Sequence, residues 1–396
     1  MKILMTTSSF PLYKGDTAGI FVYEQAKFLV QKGLNLEILA PMGDLASKFE
    51  VMDDIKVRRF NYFYPLRYQG LCYGAGVPDN MKKGFKYKIQ LPFLLLFFFL
   101  NILIRGSEKD IIYAHWTLSG LAAVIAGKIL KKPVIVMIHH GQNQFKLGLL
   151  IRYVIENADY IVFNSSYTEK QVRRYFNPRS FSVIPPGVDT LKFRPFDIRK
   201  YSSFLRGYGI KEGLPVIFAM GRHIQWKGYE FLIQAVKKLE FDFLLVLAGS
   251  GPETENLKHL SSELGLEDKV IFTGSIKNYM TPIFYNRTSV FVQPSIIDDS
   301  GNTEGLGVVI MEAMACGIPC IGSKVGGIPD LIVDGVNGSM VEAESPELIA
   351  DRIKFLLESD SKSFSLNSRQ YILKNFCWNK LVCKNIHLME KIIKGY

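Results

Sequence analysis

Short apolar, β-branched runs alternate along the chain with longer segments whose apolar positions recur at helical spacing. The rhythm opens with strand Ile3–Thr6, helix Phe21–Lys32 and strand Leu36–Leu39. It resumes with strand Asp110–Tyr113, helix Leu118–Leu130, strand Val134–Ile138, helix Leu147–Asn157, strand Tyr160–Asn164, helix Thr168–Tyr175 and strand Ser182–Ile184. Strands of this kind joined by helices predict a parallel sheet covered on both faces. The turn-rich stretch Pro185–Pro195 breaks the rhythm and is read as a linker.

A second series follows, with strands Pro215–Met220, Phe243–Ala248, Val270–Thr273, Val290–Gln293 and Cys320–Ser323. Helices Tyr229–Leu239, Glu253–Leu264 and Val308–Met314 lie between them. Helices at 346–358 and 365–375 come next, and an amphipathic helix Leu381–Ile393 ends the chain. The expectation is an α/β protein of two doubly wound domains, 1–195 and 196–376, which suits a length of 396 residues. Two domains imply a central cleft where chemistry can sit.

Charge changes the picture of the first half. The net charge is +11, and residues 1–197 hold 26 Lys and Arg against 15 Asp and Glu, whereas the rest is balanced at 22 each. No DNA or RNA recognition motif accompanies the basic half, so nucleic acid is not expected as a partner. An anionic membrane surface or a phosphate-bearing acceptor remains. Lys82, Lys83, Lys86 and Lys88 lead into the apolar run Leu91–Ile104. As a helix that run is about 21 Å long, short of the roughly 30 Å hydrocarbon core, so it is not expected to span. It is either a buried helix of the first domain or one lying in the membrane interface.

Five cysteines, none with histidines at zinc-ligand spacing, and no secretory signal fit a reduced cytoplasmic setting. Peripheral contact with the inner face of the membrane is the accompanying expectation. Asp298-Asp299 has no third ligand nearby, so no metal site is expected.

The candidate chemistry lies after strands. Gly221-Arg222-His-Ile-Gln-Trp-Lys227-Gly228 follows Pro215–Met220 and precedes a helix, which puts two cations where parallel sheets bind ligands and suits a diphosphate. Glu304-Gly305-Leu306-Gly307-Val308 leads to Glu312. A helix starting near Gly305 would separate the two glutamates by about 12 Å, with sugar hydroxyls at Glu304, a ribose diol at Glu312 and the free amides of residues 305–308 on the diphosphate. Ala248-Gly-Ser-Gly-Pro252 lacks the form of a phosphate loop and is read as a glycine turn. In the first half, Gly19 sits in a loop where backbone can approach a ligand, and His115, His139 and His140 stand at strand ends.

Glu304-x7-Glu312 inside Glu-Gly-Leu-Gly-Val-Val-Ile-Met-Glu-Ala-Met-Ala-Cys-Gly-Ile-Pro resembles the retaining family 4 glycosyltransferases of GT-B fold. Ile-Pro-Pro-Gly-Val-Asp189, Gly-Arg222 with Lys227-Gly, Ala-Gly-Ser-Gly-Pro and Val-Gly-Gly-Ile-Pro-Asp330 support the resemblance in order, over almost the whole chain. It implies two Rossmann-like domains, with the last helix, about 377–396, crossing back to the first, acceptor-binding one. It implies that Arg222 and Lys227 hold the diphosphate of a UDP- or GDP-sugar, that Glu304 and the amides after it hold the sugar and β-phosphate, and that Glu312 holds the ribose. Ile276 would touch the base, Gly19 would belong to a loop closing over the donor, and His139 or His140 would lie at the reacting centre, with His115 a candidate on the acceptor side. The acceptor would be a glycan or a lipid-linked precursor of cell-surface polysaccharide or glycolipid, and no metal or cofactor would be needed. A sugar-nucleotide epimerase and a non-catalytic nucleotide-sugar-binding subunit are the rivals, and the missing dinucleotide fingerprint argues against a dehydrogenase.

Overall fold

A computed structural model describes residues 1–44, 46–74, 76–139, 148–358 and 361–396. Its contacts divide the chain into two units, Met1–Gly187 with Trp378–Tyr396, and Val188–Cys377. The first holds eight strands: β1 (Lys2–Thr7), β2 (Asn35–Pro41), β3 (Phe49–Met52), β4 (Ile55–Phe60), β5 (Ile111–His115), β6 (Val134–Ile138), β7 (Tyr160–Phe163) and β8 (Phe181–Val183). They form one sheet in the order β3-β4-β2-β1-β5-β6-β7-β8, parallel except for β3 against β4.

The strand period of two decides which helices each residue meets. Ile3, Met5, Ile111 and Tyr113 point to the side of helices Ile20–Gln31 and Trp378–Gly395. Leu4, Ile112 and Ala114 point to the other side, where helices Gln90–Gly106, Thr117–Leu130 and Gly148–Asn157 pack. The expected strands reappear with ends moved by a residue or two. The hairpin of β3 and β4 was not expected, because Glu50, Lys56, Arg58 and Arg59 interrupt its apolar pattern. Lys109, Arg58 and Arg105 converge on Glu37 of β2 at 2.6, 2.8 and 3.6 Å, so part of this unit's positive charge is spent on one carboxylate.

The second unit continues with β9 (Val216–Met220), β10 (Leu244–Ala248), β11 (Val270–Gly274), β12 (Val290–Gln293), β13 (Cys320–Ser323) and β14 (Gly338–Val341). Its sheet is parallel throughout, in the order β11-β10-β9-β12-β13-β14. The boundary falls at Gly187, not at residue 195. Val188 donates its N–H to the Phe376 carbonyl at 2.8 Å, and Phe193 is buried with its ring 5.9 Å from that of Tyr285, so the latter part of the turn-rich stretch is core of the second unit. Cys316 and Cys320 are free thiols buried in this core, Cys72 and Cys377 are buried as well, and Cys383 is exposed.

The apolar run at 91–104 is core on one side only. Leu94, Phe98 and Ile102 are wholly buried against the sheet, while Phe93, Leu96, Leu100 and Ile104 on the opposite side are exposed. Phe98→Ala is therefore expected to cost about 3–5 kcal/mol, and Leu100→Ala to stay within about 0.5 kcal/mol of the parent, in chemical denaturation followed by circular dichroism.

Candidate functional site

The second sheet reverses its winding between β9 and β12, since the chain leaves β9 towards β10 on one side and returns to β12 on the other. The loops beyond the carboxyl ends of two such strands diverge and leave room for a ligand. Here those loops are Gly221–Gly228 and Pro294–Gly307, the two that carry the predicted cations and Glu304.

Backbone contacts fix both loops. Ile296 donates its N–H to the Trp226 carbonyl at 2.9 Å. At Gly228, with φ +64°, a β-carbon would lie 2.1 Å from the Pro294 carbonyl oxygen, so only glycine lets the strands' ends approach this closely. A third segment closes on Glu304: Gly327 donates to the Glu304 carbonyl at 3.0 Å, and a β-carbon at Gly326 would lie 1.9 Å from the same oxygen.

Within this frame the Lys227 ammonium forms an ion pair with the Glu304 carboxylate, both side chains largely buried. A β-carbon at Gly221 would stand 3.6 Å from the Lys227 ammonium and 2.7 Å from the Tyr229 hydroxyl, which places these groups around one spot. Burial and the neighbouring Glu304 carboxylate push the Tyr229 phenol well up, so it stays protonated. Arg222 lies on the same loop and is exposed.

The helix begins at Val308, as the apolar pattern predicts, and not at Gly305, the start that would have put the amides of residues 305–308 at its open end. Gly307 has φ +98° and caps it, and the pull of Gly327 on the Glu304 carbonyl holds the preceding segment as loop. The orphan amides are thus those opening the helix at Val308 and Val309. Gly305 is half-buried and Leu306 is buried in the second unit's core. Glu312 is buried on this helix and accepts a hydrogen bond from the Tyr285 hydroxyl at 2.8 Å. Sequence reasoning missed Tyr285, which sits on a short helix, Thr281–Arg287, that gave no apolar signal of its own. Ile276 is half-buried against the same core.

Ala248–Pro252 is a staple. Gly221 donates to the Ala248 carbonyl at 2.9 Å, and β-carbons at Gly249 and Gly251 would lie 1.9 and 2.2 Å from the Gly221 and His223 carbonyl oxygens. His223, also missed, is buried and shares a 3.0 Å hydrogen bond with Thr254. Asp298 spends its carboxylate on the Ser300 and Asn302 amides, and among the described residues no group of His, Cys, Asp and Glu is arranged to hold a metal.

In the first unit the winding reverses between β1 and β5. His115 ends β5 and faces His139 after β6, with His115 Nδ1 2.9 Å from His139 Nε2 and the rings stacked 5.2 Å apart. Phe21 and Trp116 flank His139 at 4.6 and 5.0 Å, and Trp116 has φ +65°, a costly backbone for a bulky residue. Gly19 caps helix Ile20–Gln31 at φ +60°, where a β-carbon would meet the Ser9 carbonyl oxygen at 2.2 Å. His140 lies outside the described residues.

Two parallel doubly wound units of this order define the GT-B fold. A sucrose-phosphate synthase from Thermosynechococcus elongatus superposes on the whole chain with a TM-score of 0.81 at 20% identity, over the whole of its own chain. Residues 18–192 match the family described as Glycosyltransferase Family 4, and residues 203–374 match Glycosyl transferases group 1. A GDP-mannose-dependent alpha-(1-6)-phosphatidylinositol monomannoside mannosyltransferase of Mycolicibacterium smegmatis is 31% identical over 58% of this chain and 61% of its own length. A D-inositol 3-phosphate glycosyltransferase of Geodermatophilus obscurus is 26% identical over 93% of this chain and 83% of its own. The chain belongs to the family 4 glycosyltransferases.

Two outcomes follow from the buried groups. Tyr285→Phe removes the Tyr285 hydrogen bond to the buried Glu312 carboxylate and is expected to cost about 1–3 kcal/mol in chemical denaturation at neutral pH. Burial pushes His115 down from its ordinary 6.5 to about 3, so it is neutral when folded. Below pH 6.5 the unfolded chain binds a proton there that the folded one does not, and stability falls with pH by up to about 1.4 kcal/mol per unit until near pH 3. Denaturation of His115→Gln at pH 7 and pH 5 should show a shallower loss than the parent.

Proposed function

We propose that the protein transfers a glycosyl group, with retention of anomeric configuration, from a nucleoside diphosphate sugar to a glycan or lipid-linked acceptor. The observation that carries this reading is the Lys227–Glu304 pair at the winding reversal of the second sheet, beside the first turn of helix Val308–Ala315.

As the anomeric C–O bond breaks, negative charge grows on the leaving diphosphate and positive charge on the sugar ring. Lys227, Arg222 and the amides opening the helix stabilise the first, and Glu304, beside the ammonium, takes sugar hydroxyls. Glu312, held by Tyr285, receives the ribose diol. The leaving phosphate accepts the proton of the attacking hydroxyl as the new bond forms on the same face. In this reading His139 or His140 acts at the reacting centre and His115 on the acceptor side. The charge stabilisation comes from side chains and backbone, so a chelator is expected to leave turnover unchanged.

The mycobacterial relative is named as GDP-mannose-dependent, which makes GDP-mannose the first donor to test, beside UDP-sugars. A matching donor is expected to raise the melting temperature by mass action. With that donor and an acceptor extract, Lys227→Ala should lower kcat by about 10²- to 10³-fold, assayed below its own melting transition because the largely buried Glu304 loses its ion-pair partner. Stabilisation by none of the donors, wild-type turnover in Lys227→Ala, or conversion of donor alone into an isomer would refute the proposal.

A further inference from the structure

Helices Phe85–Lys88 and Gln90–Gly106 run on through Ile89, which keeps right-handed helical dihedrals, so Phe85–Gly106 is one helical stretch of 22 residues. Its buried stripe, Leu94, Phe98 and Ile102, belongs to the core of the first unit. Phe85, Ile89, Phe93, Leu96, Leu100 and Ile104 are exposed, Phe85 at 75% and Ile104 at 71%. At 3.6 residues per turn these six positions fall within an arc of about 100° opposite the buried stripe and run for about 28 Å along the axis. Helix Thr117–Leu130, packed beside it on the same face of the sheet, adds the exposed Ile125 and Ile129. Scattered exposed apolar residues are ordinary, but a continuous ridge of them marks an interaction surface.

The charges around the ridge select its occupant. Between Asp79 and Glu108 the chain has no carboxylate and exposes Lys83, Lys86 and Lys88, whereas Lys82 pairs with Asp79 at 3.2 Å and Arg105 faces Glu37 at 3.6 Å. Lys128 stands exposed on the neighbouring helix and Lys131 just past its end. The ridge itself presents Phe, Leu and Ile alone, with no polar group to set the register of a protein partner. A bilayer with acidic headgroups supplies both complements, a plane of negative charge for the lysines and hydrocarbon beneath it for the ridge. We infer that this face of the first unit docks on an anionic lipid bilayer, with the ridge at the boundary of headgroups and acyl chains. The helix lies along the surface and does not cross it, because crossing would strip Leu94, Phe98 and Ile102 from the core. This docking stands apart from the proposed sugar transfer, and neither depends on the other.

Vesicle co-sedimentation of the full chain tests it, with phosphatidylcholine alone and with added phosphatidylglycerol. The protein is expected to sediment with the phosphatidylglycerol vesicles at low salt and to be released as salt rises. Leu96→Gln with Leu100→Gln should reduce retention about tenfold or more. Lys86→Gln with Lys88→Gln should lower the salt concentration needed for release. Both pairs change outward side chains, and melting temperatures equal to the parent's establish that the variants are folded. The inference is overturned if the parent ignores phosphatidylglycerol vesicles or if folded Leu96→Gln/Leu100→Gln binds them as the parent does. It is also overturned if the parent is a dimer that this pair splits, which would assign the ridge to a second copy of the chain.

Discussion

The contact between two loops at the winding reversal of the second sheet is the constraint on which the candidate site depends. Trp226 and Ile296 share a backbone hydrogen bond, and Gly228 lies against the Pro294 carbonyl with no room for a side chain. Gly326 and Gly327 close on Glu304 from a third segment. Main-chain contacts of this kind hold Lys227 and Glu304 in register without asking either side chain to anchor its own loop. Polar groups held in advance need little reorganisation when a charged ligand arrives, which is where an electrostatic site gains most.

Much of this was legible in the sequence because parallel strands buried on both faces leave apolar runs, and because their carboxyl ends are where ligands gather. Lys227, Glu304 and Glu312 stood out for that reason. The hairpin at residues 49–60 did not, since its apolar positions alternate with Glu50, Lys56, Arg58 and Arg59 and form no continuous apolar run. Tyr285 was invisible for another reason: its role is set by a hydrogen bond to a residue 27 positions away, which no local pattern records. The helix itself was legible from Val308 on, but which of the two nearby glycines would cap it was not: Gly307 adopts the left-handed backbone, which leaves Gly305 and Leu306 in the loop.

Charge and burial are distributed differently in the two units. In the second, the buried carboxylate of Glu312 meets a tyrosine hydroxyl and the Glu304 carboxylate meets a lysine, so each acid has a partner suited to its surroundings. In the first, burial keeps His115 neutral at the winding reversal, where it faces His139 beside Phe21 and Trp116. Its cations are gathered elsewhere, on Glu37 and around the helix Gln90–Gly106.

The chain passes from the first unit to the second at Gly187 and returns at Trp378, and these two crossings run side by side. Gly187 packs directly on Trp378, while Val188 is bonded to Phe376 and bridged to Cys377. The second unit is thus an insertion with its ends zipped together. The second unit is synthesised in full before helix Trp378–Gly395, yet Trp378, Leu381 and Met389 belong to the core of the first unit. The half made first must therefore wait for a segment made after the whole of the second unit, and its maturation is timed by synthesis beyond Cys377.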